Sequence, residues 1–244
     1  MTPSAAPVLD IVDAVAGYGD HLILQGLTLQ VAAGEIYALL GANGAGKSTT
    51  INLLLGFVPA RSGRVRVGGA DPAAGAAAVR RQIAYIPENV ALYEHLSARE
   101  NLAYLLDLAG QPAGDTAIRE ALAAAGLDAA AHDRRVAGFS KGMRQKVAIA
   151  LALARHVPAL LLDEPTSGLD PQAAAEFSRL LGLLRARGVA VLMVTHDLLG
   201  AADVADRIGF LRAGRLVEET AASGPDRFDV RPLHRHYLDA EVAA

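Results

Sequence analysis

Four short stretches carry residue types that can do chemistry together. "GANGAGKST" (Gly41 to Thr49) fits the phosphate-binding pattern G-x-x-x-x-G-K-[ST]. Gly41, Gly44 and Gly46 let the backbone wrap an anion with its N–H groups turned inward. A helix opening here adds about half a positive charge at its N-terminus. Lys47 can reach the outer phosphates, Ser48 can ligate Mg²⁺, and Asn43 and Thr49 complete the candidate loop. "LLLDEP" (Leu160 to Pro165) supplies the carboxylates that such a loop needs. Asp163 ends an apolar run and is the candidate metal-orienting acid; Glu164 follows as candidate general base. Two adjacent acids after a buried strand are costly without a cation to meet. "MVTHD" places His196 at the end of another apolar run, where it can bond a γ-phosphate or steady the attacking water.

The fourth stretch is "GFSKGMRQK" (Gly138 to Lys146). A serine and a glycine precede the apolar run "VAIALALA", with Lys141, Arg144 and Lys146 around them. This reads as a second helix start suited to an anion, with Ser140 as its cap.

The positions of these stretches depend on the elements around them. "EIYALLG" (Glu35 to Gly41) and "ALLLDE" read as buried strands, as does "VAVLMVTH". Helices are expected over Gly46 to Leu55, Ala98 to Ala109, Asp115 to Ala125, Ser140 to Arg155 and Pro171 to Arg187. Alternation of strand and helix predicts a mostly parallel sheet with helices on both faces. In such sheets ligands gather at the carboxyl ends of the strands, where Gly41, Asp163 and His196 fall. "VLDIVDAV" and "ILQGLTLQVA" alternate partially and read as strands of an antiparallel, half-exposed sheet. "VRVGG", "IAYIP", "IGFLRAG" and "RLVEE" read as further short strands. The predicted fold class is therefore α/β: a phosphate-loop NTPase core, a small antiparallel β subdomain and an inserted helical subdomain at about residues 89–155. The expected domain is 1–220, with a polar tail at 221–244 that packs loosely or not at all.

Bulk composition narrows the function classes. The chain has 244 residues, 52% of them hydrophobic, and a net charge of -3. This argues against a broadly basic nucleic-acid binder, and no nucleic-acid partner is expected. There is no cysteine, so disulfides, thiolate metal sites and a cysteine nucleophile are excluded. No run reaches the roughly 18 apolar residues of a membrane span. "MTPSAAPVLD" has no apolar h-region, so no signal peptide is expected. The guanine-reading pattern "NKxD" is absent. His234 and His236 lack carboxylate or thiolate neighbours, and the pair is weak as a metal site.

The ordered set "GANGAGKST", "FSKGMRQ", "LLLDEP", "SGLD" (Ser167 to Asp170) and "VTH" resembles the nucleotide-binding subunit of an ABC transporter, over about residues 8–220. The resemblance implies an ATPase using ATP and Mg²⁺. It implies head-to-tail pairing, as a homodimer or with a paralogous subunit. In that pairing Ser140 and Gly142 cap the γ-phosphate held by the partner's loop, and Asp170 lies at the seam. It also implies an integral membrane permease as partner, and a cytoplasmic site on the inner face of the membrane. Tyr18 stands where the family keeps an adenine-stacking aromatic. Glu88 stands where the family usually has a metal-contacting Gln. Phe139, Lys141 and Met143 depart from the common LSGGQ signature. Lys141 and Glu88 resemble the exporter-type branch, so export is the expected direction. The alternative is a soluble ABC ATPase in protein or metal-cofactor assembly.

Overall fold

The computed structural model describes residues 6–223 and 227–229. A six-stranded sheet forms the middle layer, in the order β5-β6-β7-β3-β8-β9. Its members are β3 (Ile36–Leu40), β5 (Ile83–Ile86), β6 (Ala159–Asp163), β7 (Ala190–Thr195), β8 (Arg207–Arg212) and β9 (Arg215–Ala221). All neighbours are parallel except the terminal pair β8–β9. The inner strands are apolar on both faces, as a sheet covered on both sides requires. Along β3, Ile36, Ala38 and Leu40 enter one core, and Tyr37 and Leu39 enter the other. Leu160 and Leu162 against Leu161 in β6, and Val191 and Met193 against Leu192 in β7, divide in the same way. This is the period-2 alternation of a strand.

On one side lies a smaller antiparallel sheet of order β2-β1-β4, made of β1 (Leu9–Tyr18), β2 (His21–Val31) and β4 (Ala60–Val67). Helix α1 (Lys47–Leu54) fills the space between the sheets with Ile51, Leu53 and Leu54. On the other side lie α3 (Ala98–Leu108), α4 (Asp115–Ala124), α5 (Lys141–Arg155) and α6 (Pro171–Ala186). These helices, and the antiparallel subdomain, agree with the expected α/β layout. Two elements were not expected: α2 (Pro72–Arg81), inside an alanine cluster, and the short α7 (Leu198–Val204). Both begin at an aspartate cap, Asp71 on Ala73 N–H and Asp197 on Gly200 N–H. Among the described residues no helix is long and apolar enough to cross a membrane.

The expected loose tail is corrected in part. Phe228 is buried in the helical-side core, and Arg227 donates to the carbonyls of Val204 and Ala205 and to Asp206. An apolar ring and a guanidinium with three acceptors hold this segment despite its polar surroundings. The His234–His236 pair lies outside the described residues.

One buried polar residue fixes the entry to the helical subdomain. Asn101 has no solvent exposure. Its Oδ1 accepts from Tyr93 N–H at 2.8 Å, and its Nδ2 donates to the carbonyls of Tyr93 at 3.0 Å and Ser97 at 2.9 Å. Just before it, Ser97 and Glu100 form a reciprocal cap on α3. Asn101→Ala leaves the Tyr93 N–H without its acceptor, while the Tyr93 and Ser97 carbonyls keep the N–H groups of Leu96 and of residue 101. It should cost about 1–3 kcal/mol for that one unpaired group, read as a lower midpoint in urea denaturation.

Candidate nucleotide site

The residues of the phosphate loop, with Tyr18, Glu88, Asp163 and Glu164, meet at the carboxyl edge of the parallel sheet, while Ser140, Gly142 and Asp170 lie apart from them. The loop from β3 into α1 forms one wall of a cleft, and Asp163 and Glu164, leaving β6, form another. Tyr18, Asn43, Gly44, Gly46, Lys47, Ser48, Thr49, Glu88, Asp163 and Glu164 all line this cleft. Gly41 stands behind the lining. A Cβ there would lie 2.6 Å from the Leu211 carbonyl oxygen, so only glycine lets β3 pass this close to the end of β8. Gly46 caps α1 at φ 113°, and a Cβ would press on Leu24 at 2.9 Å.

Lys47 is buried, with 7% exposure. Its Nζ donates to the carbonyls of Gly41 at 2.7 Å and Ala42 at 3.3 Å, and it lies 3.6 Å from Glu164 Oε1. A buried ammonium needs such partners. The cation is thus held at the head of the loop, where an anion on the α1 N-terminus would meet it. Ser48 is exposed beside it.

Glu164 occupies the left-handed region at φ 45°, an uncommon place for a side chain of this size. Its N–H donates to Val194 O at 2.9 Å, pinning the residue to the end of β7. Its Oε2 accepts from Thr195 Oγ1 at 3.0 Å and from His196 N–H at 3.2 Å, and lies 2.9 Å from His196 Nδ1. Backbone strain here holds a carboxylate between a lysine and a histidine, a pattern typical of functional positions. His196 itself is exposed and lies against Glu164 rather than in the cleft lining.

Asp163 is half-buried. Burial first, then the charge of Glu164, raises its carboxyl above the ordinary aspartate range. Tyr85, which sequence reasoning passed over, donates to Asp163 Oδ2 at 3.4 Å. Its phenol is pushed up to about 12 by burial first and then by Asp163. A carboxyl held this way favours a cation beside it. Among the described residues no three acidic or imidazole side chains gather as a complete metal cage. Mg²⁺ takes one or two protein ligands and fills the rest of its shell with phosphate and water. Ser48 and Asp163, with Glu88 on the same wall, fit that donor set.

The second helix start opens elsewhere. Ser140 caps α5, accepting from Met143 N–H at 3.3 Å. Ser140, Gly142 and Asp170 line a separate cleft between α5 and α6, and Asp170 caps α6 through Ala173 N–H at 2.9 Å. Glu88 bridges the regions: its Oε1 accepts from Ser167 Oγ at 3.2 Å and lies 3.9 Å from Lys141 Nζ. Gln145, also missed in the sequence, is buried and donates to the Pro165 carbonyl, tying α5 to the segment after β6.

Gly46→Ala should force a strained left-handed alanine against Leu24. The expected cost is about 1–2 kcal/mol of stability, with weaker nucleotide binding, measured by urea denaturation and calorimetric titration.

A family model described as ABC transporter matches residues 24–167. The methionine import ATP-binding protein MetN of Caulobacter vibrioides is 40% identical over 210 residues; the match covers 83% of this chain and 63% of that protein. The bacitracin transport ATP-binding protein BcrA of Bacillus licheniformis is 34% identical over 240 residues, covering 97% of this chain and 75% of the relative. Among solved structures, an ATP-binding subunit of an ABC transporter superposes with TM-score 0.78 at 34% identity, covering 95% of this chain and 96% of that one. The dimeric cassette MJ0796, in a post-hydrolysis state with ADP and Pi, gives TM-score 0.74 at 27% identity over 88% of this chain and 99% of its own. The chain belongs to the ABC transporter family and has the fold of its ATP-binding cassette.

Proposed function

We propose that the chain binds ATP with Mg²⁺ at the head of β3 and hydrolyses it to ADP and phosphate. It does so as the cytoplasmic subunit of a transporter whose membrane-spanning part is another chain. One observation carries this reading. The two anion-ready helix starts, at Gly46 and at Ser140, open into different clefts. A single chain therefore has no evident use for the second on its own nucleotide. Head-to-tail pairing of two copies, or of this chain with a paralogous subunit, gives the second start a phosphate to cap. Solved relatives of this fold include a dimeric cassette with ADP and Pi, which supports that pairing.

Within one site each residue has a task. Lys47 trades its carbonyl partners for phosphate oxygens. Glu164 takes the proton of the attacking water, and His196 and Thr195 hold its carboxylate in place. Ser48 and Asp163, with Glu88 near them, would hold Mg²⁺, which supplies charge neutralisation on the phosphates. The exposed ring of Tyr18 offers a face for the adenine, and such stacking contributes roughly 1–3 kcal/mol. The loop locked by Asn101 presents Tyr93, edge to face at 4.9 Å with Tyr104 of α3, and both rings are exposed. That surface supports contact with a helix of the membrane partner. Export is the proposed direction, on Lys141 and Glu88.

Glu164→Gln keeps the shape and removes the base. It should lower turnover about 10²–10⁴-fold while ATP still binds. By light scattering this variant should be monomeric alone and dimeric with ATP, and Ser140→Arg added to it should abolish the dimer. A variant that binds ATP yet stays monomeric even with its membrane partner would overturn the composite site. Lys47→Ala should weaken nucleotide binding by roughly 10- to 100-fold, the loss of charge-assisted hydrogen bonds, read by calorimetry.

A further inference from the structure

Tyr18 is tethered by a residue that the phosphate and metal roles leave unexplained. Tyr18 ends β1, and the chain turns through Gly19 and Asp20 into β2. The backbone of this turn is fixed. A Cβ on Gly17 would run into the His21 carbonyl, and Arg61 of β4 donates to the Gly19 carbonyl. The ring is a different matter. Tyr18 is 48% exposed, and an aromatic at a hairpin end has more than one open rotamer. Its hydroxyl, however, is bound: Asn52 Nδ2 donates to Tyr18 Oη at 2.9 Å. A phenol both donates and accepts, so either orientation of the amide keeps the bond.

Asn52 is in α1, the helix that starts with Lys47 and Ser48. The backbone carbonyl of Asn52 also accepts from the N–H groups of Phe57 at 2.9 Å and Val58 at 3.3 Å, which fixes the residue at the end of that helix. One short helix thus holds the phosphate end of the cleft at its first turn and the aromatic at its second. Ordering a ring before the ligand arrives removes that cost from binding.

We propose that Asn52 is a positioning residue for base recognition. By holding the Tyr18 hydroxyl it presets the ring at the base end of the cleft, and so raises the preference for a nucleotide over a bare polyphosphate. The proposal rests on the reading of Tyr18 as the base platform. The test compares calorimetric affinities of the full chain for MgADP and for magnesium pyrophosphate, which has no base. Wild type, Asn52→Ala, Tyr18→Phe, Tyr18→Ala and the Asn52→Ala/Tyr18→Phe pair are measured. Asn52→Ala should weaken MgADP roughly three- to tenfold, the equivalent of one net hydrogen bond, and leave pyrophosphate unchanged. Tyr18→Phe should match it, and the pair should lose no more than either alone. Equal loss for both ligands on Asn52→Ala would overturn the proposal in favour of a general role in α1. Loss with Tyr18→Ala but none with Asn52→Ala or Tyr18→Phe would overturn it while the stacking reading stands. No loss with Tyr18→Ala would remove the stacking reading, and Asn52's role with it. If Asn52→Ala does not fold, Tyr18→Phe tests the same bond from the other side.

Discussion

A buried ammonium is the constraint on which the site depends. Lys47 sits at the head of α1 with almost no access to water. Its charge is tolerable only because two loop carbonyls and Glu164 face it. The carbonyls come from the turn after β3, and Gly41 lets that turn lie against the end of β8. Glu164 arrives from β6 and is pinned to β7 through Val194. The cation therefore fixes the relative position of three adjacent strand ends. In the proposed function, a phosphate entering here would meet a charge that is already in place.

Much of this was legible in the sequence because the signals are local. The spacing of Gly41, Gly46 and Lys47 implies a strand, a tight loop and a helix, and the structure has them in that order. Apolar runs ending in Asp163 and His196 mark strand ends, and period-2 packing in β3, β6 and β7 follows from them. Ser140 was likewise readable as a helix cap, from its place before the run that becomes α5.

What stayed hidden is long-range. Tyr85 meets Asp163 only because β5 lies beside β6. Asn52 meets Tyr18 across the gap between a helix and a hairpin, and nothing in "TTINLLLG" announces it. The left-handed backbone of Glu164 is imposed by its bond to Val194, so residue type gave no warning. Helix α2 escaped notice because an alanine run lacks the apolar stripe that signals a face, and Gly75 breaks its dihedrals. Phe228 docks through a single ring in a polar stretch, too little for a pattern.

Two of the departures from the common motif pattern, Glu88 and Lys141, belong together physically. Glu88 carries a charge where the family usually has an amide, and Lys141 carries the opposite charge at the start of α5. They lie 3.9 Å apart, with Ser167 on the same carboxylate oxygen. A second pair, Glu94 with Arg144 at 3.1 Å, joins the same loop to the same helix turn. Both pairs are half-exposed, so each contributes little to stability, about 0–1 kcal/mol. Their importance is geometric. Glu88 lines the nucleotide cleft, while Lys141 adjoins Ser140 at the other one. A shift of α5 against the β5–α3 loop therefore changes the counter-charge on Glu88. Conversely, a cation bound in the cleft competes with Lys141 for the same carboxylate. One side chain thus touches the linings of both clefts, and in the proposed head-to-tail pairing that contact would lie between one nucleotide and the next.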